Sequence, residues 1–260
     1  MKMVNRVLMA VLIAAVGFPV IYFGNGALDA LIGLLTLLLA YEAAKMRDFK
    51  QAWLLACFIV LAITTLSFCG QEQVSYLVSA FLLLIFFIPY LSADYKLLDV
   101  LTLAVMVLLT AYGFRGVRAI RQISLSLTLM TIIATVLADT FAFFVGSFLG
   151  KHKLAPHISP NKTIEGSLGG WLGAALFVVI YSYVLLPDVS LLLMALIATF
   201  MPLVTQIGDL SFSLIKRNYN LKDFSLIFGT HGGCFDRLDS LLFAFAFMNF
   251  LINVVAVYRK

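Results

Sequence analysis

The sequence predicts an all-α, polytopic membrane protein of about nine transmembrane helices. Hydrophobic residues make up 63% of its 260 positions and charged residues only 12%, whereas soluble domains average about 25% charged residues. Apolar runs of about 18 residues recur along the chain, and each is long enough to cross a hydrocarbon core of ~30 Å as a helix. We therefore expect a multi-pass integral membrane protein.

The predicted spans follow one another with short polar loops between them. The first follows Lys2 and Arg6, and its length and the lack of a clear small-residue cleavage site favour a retained span over a secretory signal. The predicted spans are residues 7–23, 27–44, 52–68, 74–91, 97–113, 123–149, 166–186, 190–215 and 233–258.

The basic residues orient these spans. With the N-terminus in the cytoplasm, most Lys and Arg residues fall in cytoplasmic loops, as the positive-inside rule expects. The predicted loop from Arg115 to Arg121 disagrees, so either the helix count is wrong or this segment lies along the interface. We divide the chain into N-terminal hairpins, residues 1–122, and a C-terminal catalytic region, residues 123–260, because nearly all unusual polar residues follow Asp139.

The remaining composition narrows the class of protein. The net charge is +5, but the basic residues are scattered among short loops, which argues against a nucleic-acid partner. Cys57, Cys69 and Cys234 show no metal-ligand spacing and are interpreted as small packing residues.

Two acids interrupt late apolar spans. Asp139 lies in TVLADTFAFFVG and Asp209 in VTQIGDLSFSLIKR. A carboxylate at the centre of a membrane helix costs ~2.5 to 3.5 kcal/mol and usually faces a cavity with a partner. Gly208 allows a backbone or ligand to approach Asp209 closely, which favours a functional site there.

The segment HGGCFDRLDS opens the last predicted helix. His231, Gly232 and Gly233 predict a flexible turn before a helix N-terminus, whose free N–H groups and dipole attract phosphate. Asp236 and Asp239 are three positions apart, so both are expected on one helix face, where a divalent cation would offset their repulsion.

Basic and hydroxyl side chains accompany these acids. Lys216 and Arg217 end the preceding span, and residues 159–170 (SPNKTIEGSLGG) form a predicted turn before another span. Both segments are predicted on the cytoplasmic side. The residues suited to phosphate binding are Ser159, Lys162, Thr163, Lys216, Arg217, Lys222 and Arg237.

These motifs resemble the signature of the phosphatidate cytidylyltransferases, the CDP-diacylglycerol synthases. The likeness is carried by SLIKRNYNLKDFSLIFGTHGGCFDRLD and by ADTFAFFVGSFLGKHKLAPHISPNKTIEG, which together cover the chain from about Asp139 onward.

The resemblance implies a nucleotidyltransferase of phospholipid biosynthesis that transfers CMP from CTP to phosphatidic acid, giving CDP-diacylglycerol and pyrophosphate. It implies Mg²⁺, with one or two cations, held by Asp209, Asp236 and Asp239, and it makes Asp139 a weaker candidate ligand. Lys216 and Arg237 would act with the ligands in catalysis. Ser159, Lys162, Thr163, Arg217, Lys222, His231, Gly232 and Gly233 would contact substrate. A bacterial inner membrane, a cytoplasmic active site and a homodimer also accord with it.

Two alternatives stay open at this point. A CTP-dependent transferase acting on an isoprenoid lipid phosphate would use the same polar residues. An ion- or proton-coupled transporter would also use intramembrane acids. It would give no role to Lys222 and Asp223 or to the segment from His231 to Gly233.

Overall fold

The computed structural model describes residues 15, 17–47, 52–91, 95–229 and 232–257. Helices dominate this part of the chain, and a helical stretch at residues 17–23 precedes the numbered ones. The elements are α1 (Asn25–Lys45), α2 (Ala52–Phe68), a 3₁₀ turn (Gln71–Gln73), α3 (Val74–Ile85), α4 (Ile88–Leu91), α5 (Leu97–Ile123), α6 (Leu125–Leu149), β1 (Lys153–Ala155), β2 (Ser159–Thr163), α7 (Ile164–Leu185), α8 (Leu191–Asn218) and α9 (Phe235–Val257).

The lengths of the helices confirm an all-α, polytopic membrane fold. Seven helical segments among the described residues are long and apolar enough to cross a membrane, namely α1, the combined segment Gln71–Tyr90, α5, α6, α7, α8 and most of α9. The apolar helix α2 is shorter, at 17 residues. Most of the predicted span at residues 7–23 lies outside the described residues, so the count of nine stays a prediction.

The predicted loop from Arg115 to Arg121 is wrong, because α5 continues through it to Ile123. Only Ser124 separates α5 from α6, and its hydroxyl caps the start of α6 by accepting from the Leu127 N–H at 3.4 Å. The arginines are accommodated because they bind backbone oxygens at the ends of other helices, and Arg118 also forms an ion pair with Asp29 of α1 at 2.7 Å.

Those arginine contacts explain the departure from the positive-inside rule. Arg115 donates to the Cys69 carbonyl at 2.8 Å, and Arg118 to the Ser67 carbonyl at 3.2 Å, both just where α2 ends. Arg121 donates to the carbonyls of Ile21 and Tyr22, each at 2.6 Å. Cations are favoured at the negative end of a helix dipole, so these charges stabilise helix ends.

The hydrophobic core extends across the predicted division at residues 122 and 123. Ile32 and Leu103 from the N-terminal part lie in one buried cluster with Phe212 and Phe235 from the C-terminal part. The rings of Phe212 and Phe235 are 5.3 Å apart. The division therefore stays a prediction about chain organisation, and both parts contribute to one core.

Glycines let α6 and α7 pack at very short range. A Cβ at Gly170 would lie 2.5 Å from the Ala138 carbonyl oxygen, and one at Gly166 would lie 2.6 Å from the Ala142 oxygen. Small residues at such positions allow membrane helices to approach closely. This pairing holds Asp139 of α6 beside the first turns of α7.

A short hairpin connects α6 to α7, where the sequence predicted a turn at Ser159 and Pro160. Strands β1 and β2 pair antiparallel, with Lys153 opposite Thr163 and Ala155 opposite Ser159. The extended conformation of residues 159–163 corrects that prediction, because backbone pairing with β1 satisfies polar groups that an isolated turn would leave to water.

Candidate active site

The predicted functional side chains gather at one end of the bundle, where α1, α6 and α8 end and α5, α7 and α9 begin. We call this region the polar end. Lys162 of β2 forms an ion pair there with Asp209 of α8, and Glu42 of α1 contacts the start of α9. Successive antiparallel helices return to the same end of a bundle, which brings these distant segments together.

Three carboxylates from three helices are neighbours at the polar end. Asp139 of α6, Asp209 of α8 and Asp239 of α9 are close enough to repel one another. Gly208 permits this approach, since a Cβ there would lie 3.0 Å from the backbone oxygen of Asp239. The structure thus brings Asp209 and Asp239 together, as the sequence predicted, and places Asp139 beside them.

A cavity of about 380 Å³ opens between α6, β2, α7 and α8. This volume lies within the range of ~300 to 1,000 Å³ found for ligand sites. One wall is apolar and includes Phe143 and Leu154. The polar side chains that line the cavity are Asp139, Ser147, Asn161, Lys162, Thr163, Ser167, Gln206 and Asp209.

Asp236 has a different environment from Asp239. Its Oδ1 accepts from Lys216 Nζ at 2.6 Å, and its Oδ2 accepts from the backbone N–H groups of Phe224 at 2.9 Å and Gly233 at 2.8 Å. The side chains of Lys216 and Asp236 are only 11% and 7% exposed. Asp236 therefore holds Lys216 and the segment before α9, and it reaches a shared cation only by releasing them.

The start of α9 is occupied by a carboxylate of the chain itself, where the sequence predicted a phosphate. Glu42, fully buried, accepts from the N–H of Cys234 at 2.6 Å and of Phe235 at 2.9 Å. A Cβ at Gly233 would collide with Glu42 Oε1. Gly233 thus makes room for Glu42, and Gly232 takes the left-handed φ of +80° that the turn needs.

The hairpin residues divide between structural and cavity positions. Thr163 is the N-cap of α7, and its hydroxyl accepts from the Gly166 N–H at 3.1 Å. Lys162 and Thr163 line the cavity, whereas Ser159 pairs with Ala155 at the far end of the strand. Ser159, Lys162 and Thr163 were the predicted phosphate contacts in this segment. Of these, Lys162 contacts an acid of the site, Asp209.

Three other basic residues predicted to contact substrate are exposed. Arg217 is exposed and donates to the carbonyls of Ile158 at 3.2 Å and Leu221 at 2.9 Å, which ties the hairpin to the loop after α8. Lys222 and Arg237 are exposed. The prediction for His231 lies outside the described residues.

The donor set suits a hard divalent cation. Asp139, Asp209 and Asp239 offer carboxylate oxygens, and their mutual repulsion would fall if a cation lay between them. Among the described residues no three His, Cys, Asp or Glu side chains are already grouped as metal ligands. Mg²⁺ is commonly held by one or two carboxylates together with substrate phosphates and water.

Sequence reasoning missed two buried acids of the N-terminal part. Glu42 is described above, and Asp99 accepts from Arg47 at 2.5 Å, from the Lys96 N–H at 2.9 Å and from the Tyr219 hydroxyl at 2.8 Å. Burial raises the pKa of Tyr219 to about 12, and the Asp99 carboxylate acts in the same direction. Their positions could have identified them, since Glu42 lies late in one apolar run and Asp99 early in another. An acid at either end of such a run needs a partner.

A second missed feature is a polar pair inside the cavity. The Ser167 hydroxyl of α7 donates to Gln206 Oε1 of α8, and Gln206 Nε2 donates to the Ser167 carbonyl at 3.1 Å. Gln206 is 7% exposed. In the sequence, Ser167 and Gln206 are two separate polar residues near Glu165 and Asp209. Nothing in the sequence pairs them, because the pair forms only where α7 and α8 pack against each other.

Comparison of the sequence with known proteins identifies its family. The model of the cytidylyltransferase family matches residues 4–255. The phosphatidate cytidylyltransferase of Bacillus subtilis is 30% identical over 262 residues, covering 96% of this chain and 97% of that protein. That of Staphylococcus haemolyticus is 28% identical, with 95% and 98% covered. That of Aquifex aeolicus is 42% identical over 125 residues, with 48% and 46% covered.

Fold and site define a multi-pass membrane protein with a carboxylate-rich cavity at one end of its helix bundle. The family match extends over nearly the whole chain and includes every helix that contributes to the polar end. The chain belongs to the cytidylyltransferase family and is a nucleotidyltransferase.

Proposed function

We propose that the protein transfers CMP from CTP to phosphatidic acid, forming CDP-diacylglycerol and pyrophosphate. The observation that carries this proposal is the cavity lined by Asp139, Asp209 and Lys162, with Asp239 beside the two acids, in a membrane-spanning member of the cytidylyltransferase family. One substrate is water-soluble and the other stays in the bilayer, so a site at the end of a helix bundle serves both.

The reaction is a displacement at phosphorus. An oxygen of the phosphatidic acid phosphate attacks the α-phosphorus of CTP and forms a new P–O bond. The bond between the α-phosphorus and its bridging oxygen breaks, and pyrophosphate leaves with the electron pair. The attacking phosphate is already ionised near neutral pH, so no general base is required. Such transfers depend mainly on positioning and on neutralising charge.

Asp209 and Asp239 are the proposed principal ligands for Mg²⁺, with Asp139 as a further donor. Bound Mg²⁺ would neutralise phosphate oxygens and lower the repulsion between the two anionic substrates. Asp236 joins the ligands only if Lys216 leaves it, so we assign it first to holding Lys216.

The basic residues have separate proposed roles. Lys162 pairs with Asp209 and lies at the cavity wall, so it is placed to exchange its carboxylate partner for a substrate phosphate. Lys216 supplies a buried cation beside the first turn of α9. The exposed residues Arg217, Lys222 and Arg237 are proposed to attract CTP before it enters, and His231, Ser159 and Thr163 stay candidate contacts.

The proposed setting is the inner membrane of a bacterium, with nine spans and the polar end at the cytoplasmic face. The basic residues near this end, including Lys151, Lys153 and Arg217, favour that orientation through the positive-inside rule, and CTP is a cytoplasmic metabolite. A homodimer is also proposed, from the family resemblance alone.

Purified protein tests the proposal directly. Labelled CTP and phosphatidic acid in detergent micelles should yield a labelled lipid and pyrophosphate with Mg²⁺, and neither product with EDTA. A parallel assay with an isoprenoid monophosphate distinguishes the lipid alternative. Sealed vesicles that accumulate an ion or solute without nucleotide, and no labelled lipid from either acceptor, would instead favour a transporter.

A further inference from the structure

Glu42 is an acid of the N-terminal part whose carboxylate is wholly enclosed at the polar end. Its Oε1 accepts from the Ser225 hydroxyl at 2.6 Å and from the Cys234 N–H at 2.6 Å, and its Oε2 accepts from the Phe235 N–H at 2.9 Å. A buried carboxylate is stable only with such partners, because without them no contact offsets the free energy lost when the carboxylate leaves water. All three partners belong to the segment that leads into α9.

The contact satisfies the start of α9 in two ways. The first N–H groups of a helix have no partner within it, and the helix dipole makes that end positive. Glu42 supplies both the acceptors and the negative charge from α1, nearly 200 positions away in sequence, as the separations of 192 and 193 show. Gly233 leaves the space through which the carboxylate reaches them.

The same end of α9 carries acids of the candidate active site. Asp236 follows Phe235 directly and binds Lys216, and Asp239 lies one turn further on, beside Asp209 and Asp139. The backbone of α9 is rigid over one turn, so a shift of its first residues moves Asp239 relative to the acids on α6 and α8.

We propose that Glu42 is a positioning residue for CMP transfer, which sets the location of Asp239 by holding the first N–H groups of α9. The proposal rests on the proposed function. It makes α1 part of the active-site architecture, and it directs substrate phosphate away from the start of α9 and toward the cavity beside Lys162, because the helix end already holds an anion.

Cys234 provides a readout that needs no substrate. It is only 1% exposed, and its N–H donates to Glu42. A reagent must reach the sulfur to modify it, so modification should be slow while the contact keeps Cys234 buried. In protein carrying Cys57→Ala and Cys69→Ala, N-ethylmaleimide then reports Cys234 alone.

The experiment compares Glu42→Gln with Glu72→Gln in that background. Glu72 is an exposed acid in the 3₁₀ turn at the other end of the bundle, so it controls for loss of one charge. In Glu42→Gln we expect Cys234 labelling to rise about tenfold and kcat to fall about tenfold, with the KM for CTP within about threefold, because one charge-assisted contact set is weakened. Glu42→Asp restores the charge and should recover part of kcat.

The outcomes separate positioning from mere stability. Labelling and kcat that both match Glu72→Gln would overturn the proposal, as would faster labelling with kcat of the folded, monodisperse protein unchanged. If Glu42→Gln does not fold, the Glu42→Asp variant is the test. Faster Cys234 labelling of Glu42→Asp together with a wild-type kcat would contradict the positioning role. Absence of CMP transfer in the parent protein would instead refute the proposed function, and the labelling rates would still show whether Glu42 holds α9.

Discussion

Lys162 and Asp209 form an ion pair that joins the hairpin between α6 and α7 to the C-terminal half of α8. Both side chains stay partly exposed, at 26% and 28%, and both line the cavity. A partly exposed pair is weak in net energy. Lys162 is therefore free, in energetic terms, to leave Asp209 for a more highly charged phosphate when substrate and Mg²⁺ arrive.

Replacing Lys162 should impair the reaction more than the fold. We expect Lys162→Met to lower kcat/KM for CMP transfer about 100-fold, since it removes a cation that neutralises phosphate charge in the transition state. The matched control is Lys153→Met, which removes an exposed lysine from β1 of the same hairpin. Equal effects of the two substitutions, measured with labelled CTP, would show that Lys162 has no special role.

Replacing Asp239 should separate stability from activity. Asp239→Asn removes one of three mutually repelling carboxylates, so the thermal unfolding temperature in detergent without Mg²⁺ should stay the same or rise. CMP transfer should fall about 1,000-fold because a ligand for the cation is lost. Mg²⁺ should raise the unfolding temperature of the wild type but not of Asp239→Asn. An identical Mg²⁺ response in both proteins would contradict the ligand assignment.

Replacing Asp236 should have the opposite effect on stability. Asp236→Asn leaves the buried Lys216 ammonium without its anion, and breaking a buried ion pair by removing one partner costs about 3 kcal/mol. The unfolding temperature should fall clearly, and Lys216→Met combined with Asp236→Asn should restore part of it. If Asp236→Asn were as stable as the wild type, the carboxylate would not be the anchor that the contacts with Lys216, Phe224 and Gly233 indicate.

The Tyr219 hydroxyl should make stability depend on alkaline pH. Its pKa is raised from 10.0 to about 12, so the folded protein keeps this proton to higher pH than the unfolded chain does. The stabilisation is complete below pH 10 and is lost as the pH rises to about 12. Unfolding temperatures from pH 9 to 11.5 should fall more steeply for the wild type than for Tyr219→Phe.

The same substitution tests the bond to Asp99 at neutral pH. Tyr219→Phe removes the donor at 2.8 Å, and we expect a loss of about 1 kcal/mol, reduced by partial exposure of the tyrosine. A control is Tyr183→Phe on the strongly exposed surface of α7. Parallel pH profiles for wild type and Tyr219→Phe would refute the raised pKa of Tyr219, and equal stability of the two proteins at neutral pH would refute the bond to Asp99.

Much of this protein could be predicted from local sequence. Runs of apolar residues mark membrane helices because the length of a span is set by the thickness of the bilayer. The acids Asp139 and Asp209 stand out for a related reason, since a carboxylate in such a run must have a compensating environment. Asp236 and Asp239 stand out because their spacing of three positions puts both on one helix face. The resemblance of residues 139–239 to one family then indicates the reaction.

Other predictions failed where a partner distant in sequence decides the outcome. The arginines at 115–121 suggested a loop, because the free-energy cost of a charge inside a membrane helix can be read from the local sequence. The carbonyl groups that bind these arginines belong to distant segments and cannot be read there. Likewise, the turn before α9 suggested a phosphate site, although Glu42 already occupies it. In both places a free helix end of one segment is satisfied by a charge from another.

The sequence by itself determined that this is a helical membrane protein and that Asp139 and Asp209 need partners, because hydrophobic length and the cost of buried charge are local properties. Only the tertiary structure decided which charges are matched with each other. In the structure, Asp236 pairs with Lys216 and Asp209 pairs with Lys162, beside Asp139 and Asp239. Glu42 accepts hydrogen bonds from the first N–H groups of α9. The physical reason is that electrostatic pairing depends on distance in space, which helix packing sets and spacing along the chain does not.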